Sequence, residues 1–130
     1  MSRQTRQRDV IIRAILDAEG PLSVEQIYDR AREDVPNLGV ATVYRTIKLL
    51  LAQERIVVVD LPGEQPHYEP AGRGHHHHFR CLECDQWFDL GMCVVRHLDG
   101  TTIDGGFMID GHYLTLYGRC PSCAASSANT

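Results

Sequence analysis

The stretch Gly74-His75-His76-His77-His78-Phe79-Arg80-Cys81-Leu82-Glu83-Cys84 decides how this chain is read. It places four of the seven histidines and two of the five cysteines within ten residues. A purification tag explains it poorly, because the His run is internal, short and continuous with a Cys-x-x-Cys. A second Cys-x-x-Cys, Cys120-Pro121-Ser122-Cys123, lies near the C-terminus. Each pair can present two thiolates from one turn, and two pairs complete a tetrahedral sulfur site of the kind zinc prefers. Four thiolates close the coordination sphere, so such a site is structural. The pairs are 35 residues apart, which leaves room for a small fold between them. Cys93 stands outside both pairs and reads as a small buried apolar residue.

The histidines sort by strand geometry. In an extended chain successive side chains point to opposite faces. His75 and His77 then face one way, His76 and His78 the other, and one strand can feed two metal sites. Glu69, Asp89, His112 and His97 are the carboxylates and distant histidines available to complete them. A mixed nitrogen and oxygen site suits Mn, Fe, Zn or Co.

Working outward, the 130 residues make one ordinary domain or two small ones. No apolar run is long enough to span a bilayer, and Met1–Arg6 has no signal-peptide character. A cytoplasmic protein is expected, with no membrane partner. In a reducing compartment, paired Cys-x-x-Cys motifs serve as metal ligands rather than disulfides. The net charge of −4 is uneven. Residues 1–60 hold nine Lys and Arg against nine Asp and Glu, and residues 61–130 four against eight. The excess acid therefore sits with the metal-ligand candidates, and a neutral N-terminal half can still carry a local basic face.

That half reads as three helices and a hairpin. Over 7–19, Val10, Ile11, Ala14, Ile15 and Ala18 share one helix face, and Gly20-Pro21 stops it. Ser23-x-x-Gln26 is a capping box opening a second helix, with Val24, Ile27, Tyr28 and Ala31 apolar, that runs to about Asp34. A third helix spans Val40 to Glu54, burying Val40, Val43, Ile47, Leu50 and Leu51 and leaving Thr42, Tyr44, Arg45, Thr46 and Lys48 off that stripe. Ile56–Asp60 is a strand, Leu61–Glu64 a turn, and Gln65–Glu69 a returning strand that Pro66 should confine to an edge. This order is that of a winged helix-turn-helix, whose third helix enters the DNA major groove. Arg45 and Lys48 suit phosphate or guanine; Thr42 and Tyr44 suit phosphate or a thymine methyl.

In the second half, His75–Leu82 and Gln86–Leu90 form a hairpin and Met92–Leu98 a short helix. Phe107–Tyr117 forms a strand broken at Asp110-Gly111, and Ala124–Thr130 a frayed tail. The expected fold class is α/β in the α+β sense: a winged helix over 1–66, a small α/β dimerisation domain with structural zinc over 67–124, and a flexible tail over 125–130. His67-Tyr68-Glu69 before Cys81-x-x-Cys84 superficially matches the zinc nucleobase deaminases. Arg80 stands where their Pro belongs, and the gap is too short for an α/β unit. No phosphate loop or nucleophile elbow is present, so no enzyme is expected.

Gly39-Val40-Ala41-Thr42-Val43-Tyr44-Arg45 resembles the recognition helix of the ferric uptake regulator (Fur) family. The His75–His78 tract with Cys81-x-x-Cys84, and His112-Tyr113-Leu114-Thr115-Leu116-Tyr117-Gly118-x-Cys120-x-x-Cys123, resemble its dimerisation domain. The resemblance covers roughly residues 5–123 and implies a homodimeric, metal-responsive repressor of metal-homeostasis genes that binds palindromic double-stranded DNA. It implies structural zinc on Cys81, Cys84, Cys120 and Cys123. It implies a regulatory Fe, Mn or Zn ion on Glu69, His76, His78 and Asp89, and an additional ion on His75, His77 and His112. Three departures stand out. Gly20-Pro21-Leu22-Ser23 lacks the regulatory His many members place there, leaving His67 or water to complete the set. Ala71–Gly74 lacks the Cys of zinc-sensing members. Arg96-His97 occupies the region of a usual Glu, making His97 a candidate additional ligand. The alternatives are a zinc-stabilised interaction module without sensing, and a peroxide-responsive regulator of the same family.

Overall fold

Helix α1 spans Arg3–Asp17 in the computed structural model, which describes residues 2–128. It starts earlier than its apolar periodicity suggests because the Ser2 hydroxyl accepts the Thr5 N–H at 3.1 Å and caps it. Strand β1 is only Leu22–Ser23. Helix α2, Val24–Ala31, opens on the expected capping box: Ser23 accepts from the Gln26 N–H, and the Gln26 side chain accepts from the Ser23 N–H. It ends before Asp34, in turns ahead of Val35-Pro36 where the chain cannot stay helical. Helix α3, Val40–Ala52, ends as Glu54 turns to φ 58° and the Arg55 N–H reaches the Leu50 carbonyl.

Strands β2 (Ile56–Val59) and β3 (His67–Pro70) form the hairpin. Its connection contains a turn in which the Glu64 N–H meets the Leu61 carbonyl at 3.1 Å. Pro62 supplies the fixed φ, and Gly63 at φ 72° supplies the left-handed corner. The sheet order is β1-β3-β2, so β3 is central. This corrects the expectation of an edge strand. Pro66 lies just outside the ladder, and Leu22 and Ser23 pair with Tyr68 and His67 on the other side. The three helices and this sheet bury Ile11, Ile15, Leu22, Ile27, Val43, Ile47 and Leu50. Two positions on α3 differ from the expected stripe: Thr46 is buried and Val40 exposed.

The compact units are Met1–Arg73 and Gly74–Thr130. The division falls after the expected 66/67 boundary because His67–Pro70 pairs into the first sheet.

In the second unit, β4 (His77–Cys81) pairs antiparallel with β5 (Trp87–Leu90) and parallel with β8 (Thr115–Gly118). The sheet order is β5-β4-β8, with β4 in the centre. The parallel pair needs a long crossover. It contains a 3-10 turn at Arg96–Leu98, in place of the expected helix over 92–98, and a hairpin of β6 (Thr102–Ile103) and β7 (Phe107–Met108). The long strand expected over 107–117 is therefore two short ones, β7 and β8. Helix α4, Pro121–Ala128, replaces the expected tail from residue 125; residues 129 and 130 lie outside the described residues.

Ile27 is fully buried at the centre of the first unit's core. Ile27→Ala should destabilise that unit by about 2–5 kcal/mol, read as a lower midpoint of helical ellipticity in urea.

Candidate metal centres and nucleic-acid interface

Three donor sets gather in or around β4. The first closes the second unit. Cys81 ends β4, Cys84 follows in the turn, Cys120 follows β8 and Cys123 sits on α4. Their four Sγ atoms lie within 4.8 Å of one another, and Cys84 Sγ is 3.9 Å from Cys120 Sγ. Around an ion with Zn–S bonds near 2.3 Å, tetrahedral sulfurs sit about 3.8 Å apart. The donor set therefore fits zinc. The turn's geometry helps: Asp85 adopts φ 60°, and its N–H bonds the Cys81 carbonyl at 2.9 Å.

The cysteines are not electrostatically alike. The N–H groups of Cys84 and Cys120 donate to Cys81 Sγ at 3.5 and 3.4 Å. These donors, led by Cys84, hold the Cys81 thiol down at about 6 against the opposing effect of burial. The Cys123 thiol is pushed up, first by the Cys120 thiol and then by burial. Cys84 is also raised: burial and the Cys81 and Cys120 thiols together outweigh the Gln86 N–H, the largest single influence, which lowers it. Crowded thiols cannot all ionise without a cation among them.

The second set occupies one face of β4. Cross-strand pairing places His78 opposite Asp89. His78 Nε2 is 3.5 Å and His76 Nε2 3.9 Å from Asp89 Oδ1. His76 Nδ1 lies 3.0 Å from the Gly74 carbonyl, to which it donates, so Nε2 is the nitrogen turned toward Asp89. Glu69 belongs to the first unit, buried on β3 opposite Val57. His67 is buried in the same strand, its Nδ1 2.7 Å from the Gln65 carbonyl.

The third set occupies the other face. His75, His77 and His112 converge there, and Cys93 joins them. Cys93 Sγ is 3.2 Å from both His77 Nε2 and His112 Nε2, which are 2.9 Å apart. Asp99 Oδ1 accepts from His112 Nδ1 at 2.9 Å, leaving Nε2 to face the cluster. Burial lowers the His77 pKa first, and His75 and His112 lower it further, so its ring is held neutral. His97, on the 3-10 turn, is in none of the donor sets found among the described residues. Cys93 is the residue that sequence reasoning missed. A lone thiol in an irregular crossover carries no spacing signal.

In the first unit, α3 exposes Tyr44, Arg45 and Lys48 and half-exposes Thr42. Arg45 Nη2 donates to Thr42 Oγ1 at 3.0 Å, which holds the guanidinium along the helix surface. Gln4, Gln7 and Arg8 of α1 line the same groove as Thr42 and Arg45. Arg8 was legible only as one of four arginines on α1, at 3, 6, 8 and 13.

Residues 2–117 match the model of the ferric uptake regulator family. This chain belongs to the ferric uptake regulator family. The Bacillus subtilis (strain 168) ferric uptake regulation protein is 32% identical over 124 residues, covering 92% of this chain and 83% of that one. A Staphylococcus saprophyticus protein named peroxide-responsive repressor PerR is 26% identical, covering 93% and 82%. A zinc-bound manganese uptake regulator superimposes with a TM-score of 0.77 at 30% identity, covering 92% of this chain and 91% of that one. Members of the ferric uptake regulator family are transcriptional regulators and not enzymes. The winged helix and zinc-compatible second unit agree with that membership.

Ligation requires thiolates, so zinc loading at neutral pH should release about two or more protons, from Cys84 and Cys123. Apparent zinc affinity should fall as pH drops, most steeply below about 6, where Cys81 also protonates. A pH-indicator titration of the metal-free chain with zinc measures both; proton release near zero would contradict the thiolate set.

Proposed function

We propose that the chain is a metal-dependent DNA-binding repressor that controls metal uptake as a homodimer on palindromic operators. The observation that carries this reading is the convergence of His76, His78 and Asp89 on one face of β4. Cys81, Cys84, Cys120 and Cys123 hold structural zinc in this reading, and His75, His77 and His112 an additional ion. A divalent ion on the His76 face supplies charge and a coordination sphere that holds residues from separate segments together. His76, His78 and Asp89 offer two nitrogens and an oxygen, with Glu69 of the first unit as the fourth donor. Sharing one ion restricts how the winged helix can move; the hinge expected near Pro62–Pro70 falls instead after β3, because His67–Pro70 pairs into the first sheet. His67 is a poor fifth donor, because it is buried and its Nδ1 is engaged with the Gln65 carbonyl.

The restriction favours one spacing of two recognition helices, set one DNA turn apart on a palindrome. Thr42, Tyr44, Arg45 and Lys48 meet the major groove, and Arg8 adds a cation beside them. The second copy has a place to dock: Phe107, Met108, Tyr113 and Tyr117 are all strongly exposed on the second unit. Linkage requires metal and DNA to raise each other's affinity by the same factor.

The mixed nitrogen and oxygen set accepts Fe, Mn or Zn. It therefore also supports a peroxide-responsive regulator, and the PerR relative favours keeping that reading. Loss of DNA binding after peroxide treatment of the iron-loaded dimer, but not of the manganese-loaded dimer, would select it.

DNA binding by the zinc-retaining protein, measured by anisotropy with and without added Mn, Fe or Zn, tests the proposal. Equal affinity throughout would sink metal sensing. His76→Ala with His78→Ala should remove the metal response while leaving zinc content and oligomeric state intact. Arg45→Ala should weaken DNA binding about 10- to 100-fold and leave metal binding unchanged; an unaffected affinity would favour an interaction module that does not bind DNA.

A further inference from the structure

We propose that Cys93 is a thiolate ligand of the cluster formed by His75, His77 and His112. The cluster is then a nitrogen and sulfur site for a thiophilic divalent ion of zinc's class. The proposal deepens the additional-ion reading above and rests on it.

His77 Nε2, His112 Nε2 and Cys93 Sγ form a triangle with sides of 2.9, 3.2 and 3.2 Å. Three hydrogen bonds would need three protons. The His112 ring proton is committed to Asp99 through Nδ1. The His77 ring donates to the Leu114 carbonyl. A ring that spends its one proton on that partner brings only a lone pair at Nε2, and the one proton left to the triangle is that of the thiol. A thiol proton can serve one side of the triangle and leaves the other two as contacts between acceptors. A cation at the centre satisfies all three atoms together.

The dimensions fit a small ion. With bonds of about 2.3 Å to sulfur and 2.0–2.1 Å to nitrogen, tetrahedral donors sit about 3.3–3.6 Å apart. The observed triangle is a few tenths of an ångström tighter, within the reach of side-chain rotation. His75 provides the fourth donor: the ligand atoms of all four residues lie within 4.8 Å of one another. Its ring centroid is 4.6 Å from that of His77 and 5.0 Å from that of His112. Asp99 behind His112 is the carboxylate that orients a metal-bound imidazole and raises its basicity.

Sulfur changes the preference. Carboxylate oxygen suits Mn, whereas thiolate with imidazole suits Zn or Co. The two histidine-bearing sets, on opposite faces of one strand, thus prefer different metals.

The test uses the full chain, with one equivalent of structural zinc verified before and after. His76→Ala and His78→Ala remove the other histidine set. Cobalt(II) is titrated into this background, and Cys93 alkylation is followed by peptide mass with Zn or Mn present. The expected result is a thiolate-to-cobalt charge-transfer band that Cys93→Ser abolishes, with cobalt still bound more weakly. Zinc, and not manganese, should slow Cys93 alkylation at least about tenfold. Asp99→Asn should weaken cobalt binding about 10-fold or more. Cobalt binding that depends on His77 and His112 but shows no band, or a band unchanged in Cys93→Ser, overturns the thiolate assignment and leaves the histidine site standing. No cobalt bound beyond the structural site overturns the additional-ion reading itself.

Discussion

Closure of four thiols on one point is the constraint on which the second unit depends. Among the described residues, that unit buries only Cys81, Trp87 and Cys120 as apolar side chains, together with His77. Two of those three are members of the thiol set. A unit of this size rarely holds itself together on apolar burial alone, and a structural metal is one of the usual remedies. The topology sharpens the need. β4 and β8 are parallel and joined by a long crossover, so their pairing carries the loop-closure cost of residues 82–114. The register aligns Cys81 with Gly118, and the Leu82 N–H reaches the Gly118 carbonyl at 2.8 Å. Both strands therefore end at the same level, where Cys84 and Cys120 meet. The thiols sit where the crossover must be held shut.

That closure also fixes the histidines. β4 is paired on both sides, so its residues cannot slip without breaking two ladders. A slip of one residue would exchange the two faces and dismantle both donor sets at once. Alternation along the chain entering β4 assigns His75 and His77 to one set and His76 and His78 to the other. The neighbouring groups then set which ring nitrogen faces inward. Gly74 does so for His76, and Asp99 does so for His112.

What could be read from the sequence was whatever obeys a short period or a local spacing. The α1 and α2 faces, the Ser23 and Gln26 capping box, the paired Cys-x-x-Cys motifs and the histidine alternation are all of that kind. Most of the misses share a different cause: they depend on a residue far away in the chain. β1 is two residues long and exists only because β3 accepts it. The same pairing moved β3 from edge to centre and carried the unit boundary past Pro70. Thr46 is polar by composition yet buried within the first unit. α4 is composed of small residues with little apolar face, and its helical state follows the Cys120 turn, where the Ala124 N–H meets the Cys120 carbonyl at 2.8 Å. Cys93 and Arg8 gained meaning only from neighbours across the fold.

The two histidine-bearing sets differ in how their remaining donor is held. β4 itself contributes one imidazole to each, His77 and His78, and its pairing fixes those two positions, while His75 and His76 come from the residues just before it. The donor that sets chemical character comes from elsewhere. Asp89 is supplied by β5, through a cross-strand pair that is itself part of the ladder. Cys93 is supplied by the irregular crossover, between β5 and the 3-10 turn, where no strand register constrains it. Asp89 stands opposite His78 in the ladder, whereas Cys93 reaches His77 and His112 from a loop. The carboxylate set is thus tied to the frame of the unit, while the sulfur donor of the other set is held by no strand register. Softness of a donor is a property of one atom, so in the proposed site the sulfur of Cys93 alone adds the preference for thiophilic ions.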